Sequence, residues 1–87
     1  MNTQQEVLGL VLSLLDEILS LKGRTSNFTT DTPLLGAIPE LDSMAVVALI
    51  TGMEERFGFM TDDDEIDGSV FATVGSLVGF VESKLAG

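Results

Sequence analysis

Apolar side chains recur every three to four residues along residues 4–21, and this periodicity requires a long amphipathic helix. The stripe and the leucines that widen it are Val7, Val11, Leu14, Ile18 and Leu21, with Leu8, Leu12, Leu15 and Leu19 beside them. So wide an apolar arc predicts a helix that other helices largely cover. Gly23 is expected to end this helix, because glycine readily adopts the left-handed conformation found just past a helix C-terminus.

Two later stretches show the same helical periodicity. Residues 44–57 predict a second helix whose core-facing side chains are Val46, Leu49, Ile50, Met53 and Phe57. A last helix, starting at Ala72 or Thr73 and ending near Leu85, has the apolar stripe Val74, Leu77, Val78, Val81 and Leu85. No segment alternates convincingly with a period of two, so strands are not expected.

The connections between these helices differ in character. Residues 24–42 contain both prolines and predict a long structured loop. The apolar side chains that pin this loop to the helices are Phe28, Leu34, Leu35, Ile38 and Leu41. A short fourth helix is expected between residues 63 and 71. With 87 residues the chain is expected to form a single domain, 1–87, an all-α bundle of three main helices plus one short helix.

Charge and composition exclude several classes of function. Fourteen acidic residues against four basic ones give a net charge of -10, which argues against binding to nucleic acid or to anionic membrane surfaces. The same charge favours partners with basic docking surfaces. The first residues lack the basic region of a signal peptide, and the longest apolar run is too short to span a bilayer. Together with the absence of cysteine, these features predict a cytoplasmic monomer without membrane insertion.

Ser43 is the most informative polar residue, because it stands just ahead of the second helix and follows Asp42. The chain has no histidine and no cysteine, so a serine–histidine relay and a thiol nucleophile are both excluded. A serine without a positioned base is a substrate for other enzymes rather than a catalyst, and we do not expect an enzyme. The positive end of a helix also favours a phosphate at this point. Alternatively, Ser43 or Asp42 is an ordinary N-cap.

The acidic residues 61–68 suggest a calcium loop beginning at Asp63. Acids then fall at its first, third and fifth positions with glycine at the sixth, but Val74 replaces the bidentate glutamate that such a loop needs. We therefore expect no dedicated metal site. Loose binding of divalent cations that relieves charge repulsion remains as the alternative.

Gly52 in the second predicted helix and Gly75 and Gly79 in the last one each cost roughly 1 kcal/mol relative to alanine. One interpretation is close packing between elements. The other is that small residues loosen the packing of the bundle enough to admit a long apolar chain.

Several motifs together resemble the acyl carrier protein family, over nearly the whole chain. They are L-D-S-M at residues 41–44, L-L-G-A at 34–37, E-E-R-F-G at 54–58, the acidic loop and T-V-G-S-L-V-G-F-V at 73–81. The resemblance implies that a phosphopantetheinyl transferase attaches 4'-phosphopantetheine from coenzyme A to Ser43. The thiol of this arm would carry acyl intermediates as thioesters in fatty acid, lipid or polyketide-type biosynthesis. The resemblance also implies that the helices can enclose part of the acyl chain.

The second helix also presents a face turned away from the predicted core. Met44, Val47, Ala48 and Thr51 share this face, with Glu54 and Glu55 close by. An exposed apolar patch with an acidic rim is typical of a docking surface, although Met44 and Val47 could instead be shoulder residues of the core. The resemblance implies recognition by acyl-loading and acyl-using enzymes through Asp42, Met44, Val47, Thr51, Glu54 and Glu55.

Some residues depart from the pattern of carriers in general fatty acid synthesis. Ala45 and Ala48 stand where acidic residues are usual, I-P-E-L at 38–41 lengthens the loop, and Met44 follows the serine where leucine is commoner. The chain therefore looks like a specialised carrier, such as those encoded near exosortase systems. Asp-Ser-Met also resembles D-alanyl carriers, so an aminoacyl or peptidyl cargo is an alternative. An acidic helical adaptor without a prosthetic group is the alternative from another class.

Overall fold

The computed structural model describes the backbone of residues 3–86 and the side chains of residues 5–62 and 64–86. Three α-helices lie in this range: α1 (Thr3–Leu19), α2 (Ser43–Phe57) and α3 (Val74–Ala86). Short 3-10 helices at Arg24–Asn27 and Asp63–Glu65 lie in the two connections. The β pairing within residues 3–86 is a single isolated bridge between Pro33 and Thr73. The predicted all-α fold with three main helices is therefore confirmed.

The helix α1 packs against both α2 and α3 and forms the centre of the core. The buried apolar residues are Val7, Val11, Leu14, Leu15, Leu19, Leu21, Leu34, Ile38, Leu41, Leu49, Met53, Phe71, Val74, Leu77, Val78 and Val81. The predicted helical stripes thus face the core except at Leu85, which is 46% exposed. Of the apolar loop side chains expected to pin the loop, Leu35 is 45% exposed. None of the helices in residues 3–86 combines the length and apolar character needed to cross a membrane.

The end of α1 differs from the prediction, because the helix stops at Leu19, well before Gly23. Ser20 takes the left-handed conformation with φ 54°, and Leu21 N–H donates to Asp16 O at 3.1 Å. This pattern is a Schellman cap made with serine instead of glycine. The early reversal of the chain places Leu21 in the core, where it is 1% exposed. Burial of this leucine offsets the cost of a left-handed serine.

The short fourth helix expected between residues 63 and 71 is present as a single 3-10 turn, Asp63–Glu65, and not as an α-helix. Downstream of it, Asp67 Oδ1 accepts the N–H of Ser69 at 2.9 Å. Such a side chain to backbone bond competes with helix formation. The chain then turns so that Phe71 enters the core with 1% of its surface exposed.

The long loop before α2 is held against the start of α3 by backbone hydrogen bonds. Leu34 N–H and Leu35 N–H donate to the carbonyls of Ala72 and Phe71, both at 2.9 Å. In return, Thr32 O and Thr30 O accept the N–H groups of Val74 and Gly75 at 2.9 and 2.8 Å. The loop therefore satisfies N–H groups at the start of α3 that have no partner within the helix.

Gly52, Gly75 and Gly79 have different environments. A Cβ on Gly75 would lie 2.8 Å from Thr30 O, and one on Gly52 would lie 2.9 Å from Ile18 Cδ1. Gly79 has no atom within 4 Å of that position. Close packing thus explains Gly52 and Gly75, as the first interpretation predicted, and does not explain Gly79.

We expect Gly75→Ala and Gly79→Ala to change stability in opposite directions. Both gain helix propensity of about 1 kcal/mol, but at Gly75 the methyl group meets a backbone carbonyl that cannot move without breaking its hydrogen bond. Gly75→Ala is expected to lower the free energy of unfolding by about 1–3 kcal/mol. Gly79→Ala is expected to raise it by up to about 1 kcal/mol. Urea unfolding of the two variants compares them directly. Stabilisation of both would show that the loop contact at Thr30 is not tight.

Glu65 links the 3-10 turn to α3. Its carboxylate accepts two hydrogen bonds from Lys84 Nζ, at 2.8 and 3.0 Å, and another from Asp62 N–H at 2.8 Å. The backbone hydrogen bond from Asp62 and then the bond from Lys84 lower the pKa of the Glu65 carboxyl below its ordinary value of 4.5. These bonds are made to the charged form, so they hold the turn on the helix only while Glu65 is ionised.

The contribution of Glu65 to stability is expected to fall in acid. A carboxyl whose pKa is lower in the folded state stabilises the fold above its unfolded pKa and loses this effect as the pH falls through the folded pKa. The melting temperature of Glu65→Gln should therefore lie below that of the unmodified chain at pH 7, and the difference should shrink as the pH is lowered through the folded-state pKa of Glu65. Glu82→Gln on α3 measures the effect of the charge change without this ion pair. A difference in melting temperature that does not change with pH would contradict the stabilising role of the ionised Glu65 carboxylate.

Candidate functional site

The start of α2 places Asp42 and Ser43 in different roles. Asp42 is the N-cap: its Oδ1 accepts Ala45 N–H at 2.8 Å, and its carbonyl accepts Val46 N–H at 2.9 Å. Aspartate is among the preferred residues for this position. Because Asp42 caps the helix, the hydroxyl of Ser43, the first helical residue, is not needed for capping. Of the two N-cap alternatives, the structure selects Asp42.

Ser43 is exposed, and within the described part of the chain its hydroxyl forms no hydrogen bond. The backbone N–H groups of Ser43 and Met44 also have no acceptor among residues 3–86, as expected at the first turn of a helix. The basic residues Arg24, Arg56 and Lys84 are bound to Glu40, Glu17 and Glu65 instead. The arrangement offers an accessible hydroxyl beside free N–H donors, a suitable place for an esterified phosphate.

The second predicted feature, the outer face of α2, lies in solvent. Met44 is 82% exposed and Val47 is 63% exposed. Ala48, Thr51 and Glu55 are also exposed. Met44 and Val47 are thus not shoulder residues of the core, and the alternative interpretation of them was wrong. An apolar pair this exposed, next to acidic groups, is the kind of surface that binds proteins.

Glu54 differs from its neighbours on this face, because its carboxylate is used within the molecule. It is half-buried, and Oε2 accepts Thr61 N–H at 2.7 Å. The bond holds the segment after α2 against the helix. The position of Glu54 in the helical pattern does not predict its bond to Thr61, because the chain reverses at Gly58 between the two residues.

The third feature is an ion pair between Arg24 and Glu40, which the sequence did not indicate. Glu40 precedes Ser43 closely in the chain, whereas Arg24 is distant in sequence. Arg24 belongs to the 3-10 helix Arg24–Asn27, and Glu40 belongs to the I-P-E-L segment that precedes Asp42. The signal available in the sequence is the I-P-E-L insertion, a departure from the family pattern. Nothing in the spacing of the two residues predicts that the loop brings them together.

The proposed calcium loop is described only in part. Its first ligand, Asp63, has a side chain that lies outside the described residues. Among the described side chains, no group of three or more acidic residues is placed to hold a metal ion.

Comparison with known proteins relates this geometry to a family. No family model matches the chain, and no curated protein matches it. A solved structure does: the solution NMR structure of a holo acyl carrier protein from Nitrosomonas europaea, with 51% sequence identity and a TM-score of 0.87. The match covers 92% of this chain and 96% of that one.

The chain belongs to the acyl carrier protein family. Identity at this level over nearly both full lengths confirms the resemblance that the motifs around Ser43 and in the helices suggested. It also confirms the acyl-carrier-type fold. The Nitrosomonas protein was solved in its holo form. Membership in this family indicates a carrier protein. The exposed Ser43 at the start of α2 is the candidate attachment site for its prosthetic group.

Proposed function

We propose that this acyl carrier protein bears 4'-phosphopantetheine on Ser43 and delivers acyl groups to partner enzymes as thioesters. The observation that carries the proposal is the exposed Ser43 hydroxyl, left free because Asp42 caps α2. The holo form of the similar Nitrosomonas protein supports the same prosthetic group here. The chain is then not an enzyme but a substrate of enzymes.

The residues present fit this group. In the modification, Ser43 Oγ loses its proton and forms a phosphate ester with the arm, while the nucleotide part of coenzyme A leaves. The free N–H groups of Ser43 and Met44 and the positive end of the helix stabilise the negative charge of the phosphodiester. When bound, the arm supplies the thiol for thioester formation that a chain without cysteine lacks.

The partners in this proposal are a phosphopantetheinyl transferase and acyl-loading and acyl-using enzymes with basic docking patches. They would contact the face formed by Asp42, Met44, Val47, Thr51, Glu54 and Glu55. The exposed apolar pair supplies contact area, and the net charge of -10 speeds encounter with basic surfaces. We further propose a cytoplasmic monomer of one domain, 1–87, serving a specialised pathway of fatty acid, lipid or polyketide type.

Incubation with a promiscuous phosphopantetheinyl transferase, coenzyme A and Mg²⁺ tests the proposal. Intact-mass spectrometry should show addition of one phosphopantetheinyl group to the whole population. A carrier that is known to be a substrate is loaded in parallel as the control. If the control is modified and this chain is not, the chain is an adaptor without a prosthetic group.

A further inference from the structure

The segment that leads into Ser43 is fastened at several points. Ile38 and Leu41 are buried, and Leu41 N–H donates to Ile38 O at 3.0 Å. The carbonyl of Glu40 accepts Asp42 N–H at 3.2 Å. A displacement of Glu40 is therefore passed through one hydrogen bond to the residue that caps α2 and precedes the modified serine.

Arg24, the partner of Glu40 in the ion pair, is itself held in place by a second hydrogen bond. Its Nε donates to Leu21 O at 3.2 Å while its Nη2 donates to Glu40 Oε2. The turn on which Arg24 stands is attached to α1, because Asp16 Oδ2 accepts Gly23 N–H at 2.9 Å and Thr25 Oγ1–H at 3.1 Å. A continuous series of contacts thus runs from α1 through Arg24 and Glu40 to Asp42.

The ion pair is not a strong source of stability. The side chains of Arg24 and Glu40 are 52% and 37% exposed, and exposed pairs contribute little to folding. A hydrogen bond from its own backbone N–H and then the one from Arg24 lower the pKa of the Glu40 carboxyl, so the carboxylate is charged at neutral pH. The ion pair constrains the position of residues 38–42, and this segment leads directly into Ser43.

We propose that Arg24 and Glu40 are positioning residues for the modification of Ser43. They hold residues 38–42 so that Ser43 Oγ is presented to the transferase in a reactive orientation. The inference rests on the proposed function of Ser43 and adds to it two residues outside the helix that carries the serine. Small errors in the placement of a reacting atom reduce the rate of the chemical step more than they reduce binding.

The test compares Arg24→Gln, Glu40→Gln and the double variant as substrates of the transferase. Positioning predicts that each single variant lowers kcat about three- to tenfold with little change in KM. The double variant should be no slower than either single one, because both remove the same interaction. Electrostatic steering predicts otherwise: Arg24→Gln makes the chain more acidic and would speed the reaction, while Glu40→Gln would slow it.

Arg56→Gln and Glu17→Gln are the matched controls. They make the same charge changes and break a similarly exposed ion pair, at 3.2 Å, that joins α1 to the other end of α2. Both should retain the kcat of the unmodified sequence. Unchanged kcat in Arg24→Gln, additive losses in the double variant, or equal losses in the controls would each overturn the inference. Failure of the unaltered chain to accept the arm would instead contradict the proposed function.

Discussion

Ser43→Ala is expected to abolish addition of the phosphopantetheinyl arm completely while leaving the fold unchanged. The loss is absolute because, in the proposed function, the Ser43 hydroxyl oxygen is the atom that forms the ester with the arm. The fold should persist because Ser43 is exposed, its hydroxyl makes no hydrogen bond within the described residues, and Asp42 supplies the cap. Surface substitutions of this kind change the free energy of unfolding by about 0.5 kcal/mol or less.

Intact mass and thermal melting, measured on the same sample, check both halves of this prediction. Ser83→Ala, at an exposed serine on α3, is the matched control and should gain the arm normally. Asp42→Ala removes the N-cap and is expected to lower the free energy of unfolding by about 1 kcal/mol, a loss that Ser43→Ala should not show. Addition of an arm to Ser43→Ala would mean that a different hydroxyl is the attachment point.

Phe71→Ala is expected to cause the largest loss of stability among single substitutions in the loops. Phe71 is 1% exposed and is the largest of the fully buried side chains. Its removal leaves a cavity at the point where Leu35 N–H binds the Phe71 carbonyl at 2.9 Å. Replacing a buried phenylalanine with alanine costs about 3–5 kcal/mol. The free energy of unfolding of a domain of this size is roughly 5–10 kcal/mol, so the substitution would remove much of it.

Thermal unfolding should show a fall in melting temperature of about 15–30 °C for Phe71→Ala. Phe71→Leu, which keeps most of the buried apolar volume, should fall much less. Met60→Ala is the control from the same connection, because Met60 is 79% exposed and its loss should be within about 0.5 kcal/mol. A small effect at Phe71 would show that the connection between α2 and α3 does not contribute to the core.

The helices were predictable because their signals are local. Periodicity identified α1, α2 and α3 to within about two residues, the usual uncertainty of helix ends. The outward face of α2 followed from the same periodicity, and Met44 and Val47 are indeed exposed. Predictions for short segments were less accurate. The competing turn at Asp67 limits the short fourth helix to one 3-10 turn, and burial of Leu21 moves the end of α1 away from Gly23.

The amino-acid pattern alone was enough to identify the family and to single out Ser43 as the candidate attachment site, because a motif and a periodicity are both properties of neighbouring residues. It could not assign the cap to Asp42 instead of Ser43, since either residue is suitable and the backbone conformation decides. Nor could it pair Arg24 with Glu40, or bring Thr30 against Gly75. These contacts join residues distant in the chain, and they exist because burial of loop side chains such as Leu34, Ile38 and Leu41 folds the long connection onto the helices.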